Sequence, residues 1–354
     1  MRRVHVRILH LAPGPDDGRL THALAAARRA TAERHRRGFE RARAVDVRVV
    51  ASPRDDLPFG RRLAGVAAEA VAAGAEGLVI LGSGAIPLAT DTDLADLVAA
   101  AAGPAAAALT NNRYSADVIA LSNPSVLEAV PDALPGDNAV PRWLAEQAGV
   151  AVSDLRDRWH LAVDLDSPLD VALADRAGVA GATWATRALE RIEAIADVAS
   201  RPTAELIVSG RTSAATLAYL EGHAAARVRA LVEERGLRTA PVDQRPSRSV
   251  IGAALELGGP GTLGVLLARF GDAAVVDSRV LLAHRLGRDE RRWPSPEDRF
   301  ASDLLLAERI QDPWLRALTG AAASAPIPIL LGGHTLVGPG IRLLLAGTPE
   351  AIAG

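Results

Sequence analysis

The stretch AVDLDSPLDVAL, residues 162–173, concentrates residue types that chemistry needs. Asp164 and Asp166 stand two apart in it. If they end a strand, alternation sends both carboxylates to one face, where they could grip one magnesium ion. The same letters also spell a helix start. Asp166 or Ser167 would cap it, Pro168 would fill its first turn, and Asp170 would complement its dipole. At the level of spacing both readings stand.

Other candidates sit where strands run into turns. SGRTSAAT (209–216) offers Arg211, Thr212 and Ser213 at a helix start, either to hold an anion or to cap. Asp277 ends the strand AAVVDS, as an acid at a ligand-facing edge or as a cap for the next segment. GGHTLVGPG (332–340) sets His334 in a glycine-rich turn, where a neutral imidazole could serve as base or ligand. PSPEDRFASD (294–303) opens a helix with Pro296 and two acids, and offers Arg299 as a phosphate contact. LVILGSGAIPLAT (78–90) brings Gly82, Ser83 and Gly84 to the end of an apolar, partly β-branched run. Such a run suits a central parallel strand, and the loop after it lies at the edge where open α/β sheets hold ligands.

The elements that must position these residues alternate. Strands at 4–12, 45–52 and 78–82 are separated by helices at 18–42 and 61–74, and TDTDLADLVAAAA comes next with Thr90 or Asp91 as cap. This order predicts a three-layer α/β sandwich with a mostly parallel sheet. AAAALTNNRYSADVIALS (105–122) reads as two strands around an Asn111-Asn112 turn, and 141–149 as a short helix. Residues 159–178 read as strand, turn and helix.

The second half has a similar rhythm: a strand at 204–210, a helix over 211–236 broken at Gly222, a helix at 262–271, the strand at 273–278, and a strand, turn, strand pattern over 326–347. The expected division is therefore 1–190 and 191–354, the second part being a second α/β domain and a candidate divergent repeat of the first. The arginine-laden stretches at 27–43 and 223–238 read as solvated helix faces, and Trp143, Trp159, Trp184, Trp293 and Trp314 form no evident stacking platform.

Composition bounds the chemistry. The 354 residues include no cysteine, so no disulfide and no thiolate metal site is available. All 40 basic residues are arginine, which removes Schiff-base and P-loop lysine mechanisms. A net charge of −2 argues against a nucleic-acid or anionic-membrane surface. No apolar run approaches a membrane span and no secretory signal opens the chain, so a cytoplasmic protein is expected.

VDLDSPLDVAL resembles the D-x-D-S/T-P-x-D closing motif of small nucleotidyltransferases of the GT-A, nucleotide-diphospho-sugar transferase fold. The nearest likeness is to 2-phospho-L-lactate guanylyltransferases, then to molybdenum cofactor guanylyltransferases and small glycosyltransferase-like proteins. Three further stretches fall in family order. GAIPLAT (84–90) is similar to G-D-L-P-L-x-T, Thr110 and Asn111 stand at a T-N pair, and GDNAVPRWLAEQAG (136–149) resembles the family's G-x-x-S-x-x-x-H-x-x-x-A helix. FGRRLAGVAAEAVAAG is similar to the helix before the metal strand of the glycosyltransferase-like relatives. The likeness covers residues 45 to 175.

The resemblance implies a nucleoside triphosphate, of guanosine or cytidine, bound at the ends of the first-half strands around Gly82, Ser83 and Gly84. It further implies magnesium on Asp164 and Asp166, and a phosphorylated acceptor near Asn111 and Asn112. Two departures stand out. The family's metal-holding aspartate is Ala85 in this chain, and LAPGPDDGR puts Asp16 and Asp17 where a phosphate loop is expected, with Arg19 as partial compensation. Three functions remain: a magnesium-dependent nucleotidyltransferase, a non-catalytic nucleotide-binding or partner-docking member of the fold, and an enzyme whose site lies in the second half or between halves, using Asp277 and His334. A homo-oligomer is allowed by each.

Overall fold

The computed structural model describes residues 2–103, 106–132, 134, 136–178, 185–234 and 246–346. Trp184 and the 235–238 end of the second arginine stretch lie outside them. Two compact units divide the chain: Met1–Pro15 with Ala25–Leu165, and Asp16–Leu24 with Asp166–Gly354.

In the first unit β1 (Val4–His10), β2 (Asp46–Ala51), β3 (Gly77–Gly82), β4 (Ala107–Thr110), β5 (Val118–Leu121) and β6 (Ala151–Asp154) form one sheet in the order β2-β1-β3-β5-β4-β6. All neighbours are parallel except β5, which runs antiparallel to β3 and β4. Helices α1 (Arg19–Arg41), α2 (Phe59–Ala72), α3 (Asp91–Ala101) and α4 (Val140–Glu146) cover both faces.

The alternation of β3 divides the core. Val79 and Leu81 pack with Phe39 of α1 and Leu94, Leu97 and Val98 of α3. Leu78 and Ile80 pack on the other face with Leu63 and Ala67 of α2 and Trp143 and Leu144 of α4. Each buried Val, Leu or Ile of β3 contributes about 1.5–3 kcal/mol, so the face assignment of β3 is strongly fixed. Thr90 caps α3 in a capping box with Asp93, as its sequence predicts.

The second unit holds α5 (Pro168–Asp175), α6 (Thr186–Ala199), β7 (Glu205–Gly210), α7 (Ala214–His223), β8 (Arg227–Val232), α8 (Val250–Gly258), α9 (Leu263–Ala268), β9 (Ala273–Asp277), α10 (Ser278–Leu286), α11 (Pro296–Asp303), α12 (Pro313–Ala323), β10 (Ile329–Gly332), α13 (His334–Val337) and α14 (Gly340–Leu345). Its four strands are all parallel, in the order β10-β9-β7-β8. The chain is thus an α/β protein with two parallel-dominated sheets.

Four expectations differ from the observed fold. The predicted helix over 211–236 ends at His223, and RVRALV forms β8 beside β7. There Arg227 and Arg229 both pair with Glu205, so a register of parallel pairing overrides the helix propensity of the Ala-Arg run. The expected second strand after Gly332 is instead α13 and α14, broken at Pro339. Leu336, Val337, Ile341, Leu343 and Leu344 are all fully buried, and an apolar run buried on every side does not distinguish helix from strand. This also removes the expected match between 326–347 and the 105–122 hairpin. The two sheets share only the order of their first three strands, which any doubly wound half has.

The third difference is the boundary. The units divide at Leu165/Asp166, not at the 190/191 point drawn from sequence, because α5 packs on α11 and α14, and α6 on β7, β9 and β10. Residues 16–24 join the second unit through Glu297, whose carboxylate accepts the N–H groups of Leu20 (3.0 Å) and Thr21 (3.1 Å) at the start of α1. The fourth is 159–166, which forms a 3₁₀ turn at Trp159–Ala162 and a single bridging residue, Asp164, rather than a strand.

Candidate functional site

The turn after β3 is held from β1 and from α1. Ser83 donates its N–H to the Leu9 carbonyl (2.8 Å), and its hydroxyl lies 3.0 Å from Nδ1 of His10, the last residue of β1. Burial, and then the charges of Arg29 and Arg28, lower the His10 pKa, so its imidazole is neutral at neutral pH. Ile86 has φ +44°, the left-handed region that a β-branched side chain occupies only under strain, at about 1–3 kcal/mol. Two donors from α1 hold it there. His35 Nε2 donates to the Ile86 carbonyl (3.2 Å) and the Arg34 guanidinium to that of Pro87. His35 is fully buried, and burial, reinforced by Arg34, pushes its pKa down to about 3.

Position 85 lies beside Asp164. The two residues form an isolated antiparallel bridge, and Leu165 donates its N–H to the Gly84 carbonyl at 3.1 Å. Gly84 is closely approached: a Cβ there would stand 3.0 Å from Arg28 Nε and 3.1 Å from Asp164 Oδ1. Arg28 Nε also donates to the Leu165 carbonyl at 2.6 Å. A methyl, one carboxylate and one guanidinium therefore meet at this turn.

Asp164 and Asp166 belong to different units. With no strand at 162–166, alternation gives them no common face. Asp164 Oδ1 accepts the N–H of Leu165 at 2.9 Å, and the backbone N–H of Asp166 donates to Asp170 at 3.1 Å. Among the described residues no three His, Asp or Glu side chains converge in a metal-holding group. Magnesium on Asp164 and Asp166 would rest on those two acids alone, because Ala85 supplies no oxygen beside Asp164.

Thr110, Asn111 and Asn112 lie at the β4–β5 connection, which runs over seven residues, 111–117, rather than a two-residue turn. Asn111 is buried and its amide closes the loop and ties it to the Trp159–Ala162 turn: Nδ2 donates to Asp117 (2.7 Å) and to the Leu161 carbonyl (2.9 Å), while Oδ1 accepts the Asp117 N–H (2.9 Å). Thr110 donates its hydroxyl to the Val118 carbonyl, and Asn112 Oδ1 accepts the Tyr114 N–H. This geometry supports a loop-closing role for Asn111.

In the second unit Arg211 and Asp277 meet at the carboxyl ends of β7 and β9, where the strand order reverses. Arg211 Nε and Nη2 donate to the two Asp277 oxygens at 2.6 and 3.1 Å. Asp277 is buried, and its side chain also caps α10. Gly210, at φ +128°, makes room, since a Cβ there would lie 2.2 Å from that of Asp277. His334 follows β10 at the same edge, with Nδ1 3.9 Å from Asp166 Oδ2. Ser213 caps α7, and Arg299 pairs with Glu290.

Several of these groups carry no signal in the sequence. His10, Arg28 and His35 belong to no motif. Arg279 and Asp303 form a buried ion pair between α10 and α11, with Nη2 2.6 Å from Oδ2. Ser167 caps α5 as one of the two readings had it, in a reciprocal box with Asp170.

No family model and no curated protein matches the chain. Among solved structures it is similar to one from Desulfovibrio desulfuricans, assigned provisionally as a nucleotide-diphospho-sugar transferase, at 18% identity over 44% of this chain and 80% of that chain, with a TM-score of 0.34. A superposition this loose carries no argument about the fold or activity of either unit.

Proposed function

We propose that the first unit is a nucleotidyltransferase-like nucleotide-binding unit that has given up the metal-dependent transfer reaction. The observation that carries this reading is the bridge between Ala85 and Asp164, which puts a methyl group beside Asp164 where the resemblance implies a further metal-holding acid. The strained Ile86 and the two α1 donors that hold it support a binding role for the turn, because strain of this kind persists only where the surroundings over-determine it. Arg28 supplies fixed positive charge beside Gly84, the position at which an anionic phosphate would meet the turn. The bound species would be a nucleoside triphosphate or another phosphorylated small molecule.

The test is calorimetry on the full chain with each of the four triphosphates, with and without magnesium. Binding of at least one, little changed by magnesium and weakened in Arg28→Met, is the expected result. No binding of any triphosphate, or binding that requires magnesium, overturns it.

A second reading is favoured by one observation: the Arg211–Asp277 pair occupies the point in the second sheet where doubly wound folds hold their ligands. In that reading this edge, with His334, is the reactive one. An activity that survives Arg28→Met and is lost in Asp277→Asn distinguishes it.

A further inference from the structure

A cleft of about 340 Å³ opens on α6 in the second unit, lined by Arg187, Glu190, Arg191, Ala194, Leu305 and Ala323. Its two arginines are used differently. Arg187 is neutralised by Glu308, with Nη1 at 2.8 and 3.0 Å from the two carboxylate oxygens. Arg191 meets no carboxylate within salt-bridge distance among the described residues. Its Nη2 donates to the Ala323 carbonyl at the end of α12 (2.9 Å). Burial without a counter-charge lowers its pKa, as expected for a cation that has lost hydration and gained a carbonyl but no carboxylate. Leu305, another lining residue, is also unusual. It is buried with φ +58°, a strained conformation for a γ-branched residue, and its carbonyl accepts a hydrogen bond from Arg187.

We propose that this cleft binds a small organic oxyanion, a carboxylate or a phosphomonoester, with Arg191 as the recognising group. The guanidinium presents a planar fork that matches either anion, and one nitrogen is already fixed by Ala323, so less side-chain entropy is lost on binding. Ala194, Leu305 and Ala323 supply apolar wall for the rest of the ligand, and the volume suits a molecule of metabolite size. Glu190 on the same helix sets a limit. It favours a ligand with a hydroxyl or amine donor and opposes one with several adjacent negative charges, so a triphosphate is a poor occupant.

The experiment is calorimetry of the full chain with malate as the carboxylate probe and glycerol 3-phosphate as the phosphomonoester probe. At least one should bind, and the better of the two identifies the anion. Arg191→Met, which keeps the aliphatic stem, should weaken that binding about ten-fold or more, as expected for loss of a charge-assisted pair. Ala194→Phe, at an exposed helix position, should block the cleft with the fold intact by circular dichroism. It decides the matter if Arg191→Met does not fold. No binding of either probe at millimolar concentration, or unchanged binding in Ala194→Phe, overturns the proposal.

Discussion

Ser167 and Asp170 cap α5 reciprocally, and the exchange leaves one oxygen of Asp170 unmatched. Oδ2 accepts the N–H groups of Ser167 (2.7 Å) and Asp166 (3.1 Å), while Oδ1, fully buried, has no hydrogen-bond partner among the described residues. Burial, then the charges of Asp166 and Asp303, push the Asp170 carboxyl up to about 8. The folded chain therefore keeps a proton on Asp170 at neutral pH that the unfolded chain releases near pH 4.

The direction of the pH effect is fixed by this difference. Between about pH 4 and 8 the native state binds the extra proton, so Asp170 makes stability fall as pH rises, by at most about 1.4 kcal/mol per unit. Asp170→Asn removes this dependence and keeps an acceptor for Ser167. The urea midpoint of the variant, compared with that of the parent at pH 5 and pH 8, should gain at pH 8. Parallel curves for the two proteins would refute the assignment.

His35 acts in the opposite direction. Its imidazole is neutral in the fold down to about pH 3, whereas the unfolded chain takes up the proton near pH 6.5. Stability should therefore fall as pH drops from about 6.5 toward 3, because there the unfolded state binds more protons. His35→Gln keeps a donor within reach of the Ile86 carbonyl and should flatten the acid limb, whereas His35→Leu removes the donor and should release the strained turn. Faster amide exchange at residues 83–88 in His35→Leu alone is the expected readout.

Much of this architecture was legible and some of it could not be. β3 declared itself because LVIL needs apolar surroundings on both faces, and α3 because Thr90 and Asp93 spell a capping box. β8 was hidden because the partner that makes RVRALV a strand is β7, and Glu205 lies more than twenty residues upstream of the arginines it pairs with. The spacing of Asp164 and Asp166 suggested a shared face only on the premise of a strand, and a single bridge does not supply the alternation. The adjacency of Ala85 and Asp164 was implied by the family resemblance, which sets both positions at one site. His35 and Arg28 act on carbonyls far away in sequence, which no local pattern encodes.

Restoring the missing acid should alter ion binding. In Ala85→Asp a second carboxylate stands beside Asp164, and paired oxygens are what a phosphate-bound magnesium uses. Residue 85 is buried, so the variant should lose about 1–3 kcal/mol of stability without ligand. Triphosphate binding should become magnesium-dependent, and added magnesium should recover part of the lost stability. A variant that stays indifferent to magnesium would show that the turn is not oriented toward an ion.

Arg279 and Asp303 test whether the second sheet edge is built for stability or for function. Both are buried, and burial is the largest influence on each; it raises the Asp303 carboxyl even against the attraction of Arg279. Breaking the pair from one side leaves an uncompensated interior charge, so Arg279→Met should cost about 3–5 kcal/mol. Asp303→Asn should cost less, because the amide oxygen still accepts from Arg279, which also keeps its bond to the Ser278 hydroxyl. The double variant Arg279→Met, Asp303→Leu replaces charge with packing, and in a purely structural pair it should recover most of the loss. Recovered stability would mark the pair as scaffold. A double variant as unstable as Arg279→Met would show that the charges themselves are required at that edge.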